Sequence, residues 1–230
     1  MQSERSRRSN PERTRATREA LLAAAREHFV RRGFAATSTP EIVAAAGLTR
    51  GALYHHFKDK RELFQALLEQ EAQAVAREIE AAADGSHSPR EALMAGALAY
   101  LHAMTVTGRT RLLLIEGPAV LGADKMRLLD EDNAERTLVQ GLGAAIEEAD
   151  GFRRRGRRAQ VATRTHAPDV AARAVLLSAA FDRAALAIDQ CGDADRYRAA
   201  MLALLEAVVD QATDQANSAP APARPARRRQ

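Results

Sequence analysis

The sequence predicts an all-α protein, with a three-helix helix-turn-helix head followed by a helical-bundle body. Two observations carry this. Apolar residues make up 46% of the chain but aromatics only 4%, and Ala and Leu, both strong helix formers, dominate over β-branched runs. Proline is absent from residues 12–39 and 41–88, which leaves room for long helices. A chain of 230 residues is long enough to bury a substantial core in one large domain or two smaller ones.

The first helix is expected from Pro11 to Arg32. Proline suits a first turn, and Leu21, Ala25 and Phe29 share a face at four-residue spacing. Gly33 stands at the C-terminal cap position. In "TSTPEIVAAAG", Ser38 and Glu41 have the spacing of a capping box, Pro40 falls in the first turn, and Gly47 closes the helix after two turns. Thr49 caps a short helix over about 50–56, and Asp59 caps a long one from Lys60 to about Ala83. Its apolar stripe is Leu63, Phe64, Leu67, Leu68, Val75 and Ile79. "DGSHSP" breaks the chain at 84–89, and further helices are expected near 89–107, 109–116, 122–149, 168–190 and 193–214. The domains expected are a disordered basic arm (1–10), the head (11–60, extended by the start of the 60–83 helix) and the body (61–214). A Pro/Ala/Arg tail without core pattern follows at 215–230.

Charge is unevenly distributed. Residues 1–60 carry 12 basic and 6 acidic side chains, whereas 61–220 carry 18 basic and 24 acidic ones. A basic head on an acidic body fits a polyanionic partner, though it would also fit a solvated face. The single cysteine, Cys191, excludes an intramolecular disulfide framework and a multi-cysteine metal site. The charged N-terminus does not read as a secretory signal, and no apolar run has the length of about 18 residues that spans a bilayer. A cytoplasmic protein without membrane contact is therefore expected. No Ser/His/Asp set, phosphate loop or HExxH motif is legible, so an enzyme is not expected.

"AGLTRGALYHHFKDK", residues 46–60, joins a helix, a Gly-Leu turn, a capping threonine and a second short helix. This is the pattern of a helix-turn-helix. Leu48, Leu53 and Phe57 are the inward anchors, leaving Arg50, Gly51, Tyr54, His55 and Lys58 outside. Such a short helix can enter a major groove with its N-terminal residues at base edges. Arg50 can donate to guanine or phosphate, Tyr54 to phosphate, and His55 to either. Lys60, in the first turn of the next helix, is poorly placed for a cation unless an outside anion compensates. An ordinary helical pair with a glycine at its turn would show the same spacing. His55 and His56 diverge by about 100° on a helix and lack a third ligand, so neither metal nor cofactor is expected.

Residues 21–68 resemble the N-terminal domain of the TetR family of bacterial transcriptional regulators. The resemblance rests on Ala25, Phe29, Gly33-Phe34, Thr37, Ile42, Ala46-Gly47, "LYHHF", Lys60 and Leu63-Phe64. It implies phosphate contacts for Thr37, Tyr54 and Lys60, and groove-facing positions for Arg50, Gly51 and His55. The candidate DNA contacts are thus Thr37, Ser38, Thr49, Arg50, Gly51, Tyr54, His55, Lys58 and Lys60. Thr39 and Pro40 depart from the common pattern of an aliphatic residue followed by a polar one.

One short recognition helix offers little surface, so two copies reading a palindromic operator are expected. The resemblance implies dimerisation through the last two helices. Val170, Ala174, Leu177 and Phe181 on the first, with Met201, Leu205 and Val208 on the second, are the candidate interface. Met94, Leu98, Leu101 and Met104, flanked by Tyr100 and His102, form one candidate wall of an effector pocket. "RLLLIEGPAVLG", with Leu113 and Glu116, would supply another. The basic stretch 151–166 is expected to be an exposed loop. The expected function is a homodimeric one-component repressor released from operator DNA by a small molecule. An activator or partner-controlled regulator is the alternative, and a metabolic enzyme the remote one.

Overall fold

The computed structural model describes residues 10–156 and 169–218. In chain order the helices are α1 (Asn10–Arg32), α2 (Thr39–Ala45), α3 (Arg50–His56), α4 (Lys60–Ala83) and α5 (Pro89–Ala103). A short α6 (Arg109–Arg111) runs through a π-helical turn (Leu112–Glu116) into α7 (Gly117–Leu121). Then come α8 (Ala123–Glu131), α9 (Ala134–Gly156), α10 (Val170–Cys191) and α11 (Ala194–Ser218). Two compact units form: Met1–Val75 with Ala103–Asn133, and Ala76–His102 with Ala134–Gln230. The helix-turn-helix therefore shares its unit with the α6–α8 segment.

In the first unit, the periodic apolar positions become a core of Leu21, Ala25, Phe29, Ile42, Leu53, Phe57, Leu63, Phe64 and Leu67. Leu48 is only half-buried. Phe29 and Phe64 meet edge to face with centroids 5.0 Å apart, and Phe34 stacks on Phe29 at 5.7 Å. Gly33 ends α1 with φ +79°, in the left-handed region.

The 109–116 helix continues further than expected. Its backbone widens so that Gly117 N–H bonds to Leu112 C=O, five residues back. Pro118 has no amide to offer an i−4 carbonyl, and it falls in the first turn of α7, where that loss is tolerated. The single helix expected over 122–149 is two. Asp132 and Asn133 interrupt it, and the buried Asn133 amide donates to Leu129 C=O at 2.7 Å. This is the side-chain-to-backbone competition that disfavours asparagine in helix interiors.

The second unit packs the end of α4 and α5 with α9, α10 and α11. Leu93, Ala97, Leu101, Leu142, Ile146, Leu177, Phe181, Ile188, Met201, Leu205 and Val209 form its core. The expected dimer residues turn toward this core. Ala174, Leu177, Phe181, Met201 and Leu205 are buried in their own chain, with Phe181 5% and Leu205 0% exposed. Val170 and Val208 pack partly buried against the same core. The apolar residues left outside are Val175, Leu176 (72% exposed) and Leu204 (43%). These two helices are apolar on more than one face, so spacing alone does not say which face turns inward.

α9 carries the chain through the start of the basic stretch to Gly156, and α11 reaches Ser218, past the expected start of the tail. The rest of the 151–166 loop, the N-terminal arm up to residue 9 and the tail from 219 lie outside the described residues. No described helix is long and apolar enough to cross a membrane.

Candidate functional site

The helix-turn-helix is organised by short-range polar contacts. Glu41 accepts from both the N–H (2.9 Å) and the hydroxyl (2.7 Å) of Ser38, and pairs with Arg32. The Ser38 hydrogen bond first, then that of Arg32, lowers the Glu41 carboxyl to about 2. Thr49 caps α3 by accepting from Ala52 N–H at 3.2 Å, and Asp59 caps α4 by accepting from Glu62 N–H at 2.8 Å. Both caps match the sequence spacing.

α3 leaves Arg50, Gly51, Tyr54 and His55 exposed, and Lys58 follows them on the surface. Arg50 lies over the Tyr54 ring, 5.4 Å from its centroid. Hydrogen bonds with Thr39 and then Arg50 hold the Tyr54 phenol below its ordinary range. Arg50 and Tyr54 are thus ordered together across one turn. A Cβ added to Gly51 would meet only Thr49 Oγ1, at 3.9 Å, so this part of the helix is open to close approach. His56 turns partly inward; desolvation and the charges of His55 and Arg18 push its imidazole down.

Two candidate phosphate ligands are engaged inside the protein. Thr37 is buried, and its hydroxyl donates to Gly33 C=O at 2.8 Å. A buried hydroxyl needs such a partner. The Lys60 ammonium donates to Phe34 C=O (2.8 Å) and Thr37 C=O (2.7 Å), and sits 4.3 Å from the Phe34 ring centroid. Those carbonyls supply the compensation that the first turn of α4 denies it. Lys60→Met is accordingly expected to lower stability by about 1–3 kcal/mol, read by urea unfolding, because it strips charged donors from two partly buried carbonyls.

The same corner is braced by Glu116, expected as a pocket residue, and by Arg111, which no sequence spacing flags. Glu116 accepts from Phe34 N–H at 2.7 Å and pairs with Arg111 at 2.6 Å. Gly33 lies so close that a Cβ there would stand 2.7 Å from both side chains. Nearby, Glu71 is buried between two arginines, Arg26 at 2.7 Å and Arg109 at 2.8 Å. Arg109 also donates to Ala103 C=O, and Arg26 to Thr107 C=O. Glu71 did carry a signal: it lies four residues from both Leu67 and Val75, in an otherwise apolar stripe.

The second unit contains a mostly apolar cavity of about 360 Å³. Ile79, Ala83, Leu93, Gly96, Ala97, Leu138, Gly141 and Phe181 line it, with Glu80, Asp84, Thr137, Gln140 and Ser178. Of the expected pocket residues, only Tyr100 lines it. Its hydroxyl donates to Asp182 at 2.5 Å, and its ring meets Phe181 edge to face at 5.5 Å. Leu101 is in the core, Met94 packs against that core, and Leu98 and His102 lie at the surface. Met104, Leu113 and Glu116 belong to the other unit. The reason is rotational: the face of α5 that lines the cavity carries Leu93, Gly96, Ala97 and Tyr100, and α9 supplies the opposing wall. Among the described residues, no group of three or more His, Cys, Asp or Glu could hold a metal.

A family model described as "Bacterial regulatory proteins, tetR family" matches residues 21–67. The HTH-type transcriptional regulator AcrR of Shigella flexneri is 37% identical over 151 residues, 60% of this chain and 70% of that protein. The chain belongs to the TetR family. A solved TetR-family transcriptional regulator from Pectobacterium atrosepticum is 31% identical, with a TM-score of 0.58 over 87% of this chain and 95% of that one. Similarity is densest in the TetR-family head. The HTH-type transcriptional repressor BepR of Brucella suis biovar 1 is 48% identical over 52 residues, which are 23% of this chain and only 25% of BepR.

Proposed function

We propose that this TetR-family regulator is a homodimeric repressor that binds a palindromic operator through α3 and its flanks, and is released by a small molecule. The observation that carries DNA binding is the row of Arg50, Gly51, Tyr54 and His55, exposed on a helix whose other side is anchored by the buried Leu53. Ser38, Thr49 and Lys58 lie exposed at its edges. A row rich in donors on a short helix suits base edges and phosphates at once. Repression is the sign borne by BepR in its name.

The homodimer uses the outward face of α10 and α11, where Val175, Leu176 and Leu204 are exposed. The effector occupies the α4–α5–α9–α10 cavity, with Tyr100 among its polar groups. α4 contributes residues to both compact units. A ligand that prefers one placement of this helix lowers operator affinity by linkage.

Selection of bound fragments from the source genome, followed by anisotropy titrations at several salt concentrations, tests the reading. Log affinity is expected to fall linearly with log salt as phosphate contacts release counterions. An affinity indifferent to salt would sink it. Arg50→Ala is expected to cost about 1–3 kcal/mol on the selected duplex and much less on a scrambled one. Equal losses on both would reassign Arg50 to the backbone.

A further inference from the structure

We propose that Glu116 is a positioning residue for DNA binding, acting through the corner that joins α1 to α2. The inference rests on the DNA-binding reading above and adds to it a residue that lies outside the recognition surface.

Phe34 is held at both ends of its peptide unit. Its N–H is accepted by Glu116 at 2.7 Å, and its C=O accepts from Lys60 at 2.8 Å. Three residues on, Thr37 closes back onto Gly33 C=O, and α2 begins at Thr39. Phe34 lies two residues past the end of α1, where the chain has already turned out of the helix at Gly33 and its amide points at the Glu116 carboxylate. Glu116 supplies the acceptor, so the direction in which the chain leaves α1 for α2 depends on that carboxylate.

The π-turn is what makes the grip possible. Residues five apart on an α-helix diverge by about 140°, and the usual side-chain neighbours are three or four apart. The wider π-turn places Arg111 and Glu116 side by side, paired at 2.6 Å. Glu116 is thereby steered onto the corner; its side chain is only 13% exposed. Gly33 leaves the pair its space, since any Cβ there would collide with both partners. Arg111 also reaches Val30 C=O, at 3.5 Å, and Gly108 lets the segment approach α1 closely: a Cβ at its φ of +78° would stand 2.5 Å from Val30. These contacts lie within one compact unit, and none touches the exposed face of α3.

The test compares Glu116→Ala, Glu116→Gln and Glu116→Asp in the full-length chain, on the duplex selected with wild type. Glutamine retains an acceptor for Phe34 N–H and loses the charge; aspartate retains the charge and is one methylene too short. If charge alone mattered, E116A and E116Q would bind DNA equally, both at least as tightly as wild type. The positioning role gives the opposite order: E116Q stays near wild type, while E116A and E116D lose roughly tenfold or more. The salt slope should stay the same in all three, because no phosphate contact is lost.

Helix content and mass are checked alongside, and hydrogen exchange at Phe34 N–H reports directly on the bond. Should E116A fail to fold, E116D carries the comparison. E116D binding DNA like wild type while the Phe34 amide exchanges freely would overturn the proposal. Wild type failing to select any duplex would instead remove the DNA-binding reading beneath it.

Discussion

Replacing Glu71 with alanine is expected to lower the unfolding free energy by about 3–5 kcal/mol, the cost of breaking a buried ion pair by removing one partner. Arg109 would bear most of that cost. It is itself buried, and the replacement removes the carboxylate 2.8 Å from its guanidinium while the Ala103 carbonyl contact remains. Arg26 is more exposed and would be partly rescued by solvent. The double replacement Glu71→Leu/Arg109→Leu should recover much of the loss, since a packed apolar pair needs no compensation. Urea unfolding of the single and double variants measures both effects.

Acid provides a second reading of the same site. Burial alone would raise the Glu71 carboxyl, but hydrogen bonds from Arg26 and Arg109 outweigh it and hold the group below the ordinary carboxylate range. A carboxyl depressed in the folded state contributes its full stability above the unfolded value of about 4.3. The contribution is lost as pH falls through the folded value. The stability gap between wild type and E71A should therefore be widest at neutral pH and shrink in acid. A gap constant from pH 7 to strong acid would show that the ionised carboxylate contributes nothing.

Aspartate at Leu176 and Leu204 is expected to convert the proposed dimer to a folded monomer. Both side chains are exposed in the single chain, so a charge there stays in water until a partner arrives. Operator affinity should then fall by about 10²- to 10⁴-fold, because two linked heads no longer bind as one. Phe181→Asp is the contrasting variant. It places a charge in the core of Leu101, Leu142 and Leu205, and should unfold the protein at any concentration. Sedimentation equilibrium with circular dichroism separates the cases. A fully dimeric L176D/L204D protein would move the interface off this face.

The head was legible because its signals are local. The Thr49 and Asp59 caps span three residues each, and the buried positions of α1 and α4 follow helical spacing. The breaks at Gly33, Gly47 and 84–89 are written in residue type. Spacing does not show that Thr37 and Lys60 donate to carbonyls of a corner that the chain forms only when α1 and α4 pack together.

Composition, helical spacing and short motifs suffice for the all-α class, the helix-turn-helix with its caps, the outward row Arg50–Gly51–Tyr54–His55 and the TetR-family resemblance. Each depends on residues within about one turn of one another, or on short motifs. The rest follows from packing between distant segments. Glu71 and Arg109 are 38 residues apart, and Phe34 and Glu116 are 82 apart. No periodicity links such partners, because their contact exists only once separate helices have packed. The inward faces of α10 and α11 were decided in the same way. Both helices present alanine and leucine on more than one side, so spacing leaves several rotations open; packing against α5 and α9 selects the one that buries Phe181 and Leu205 and leaves Leu176 and Leu204 outside.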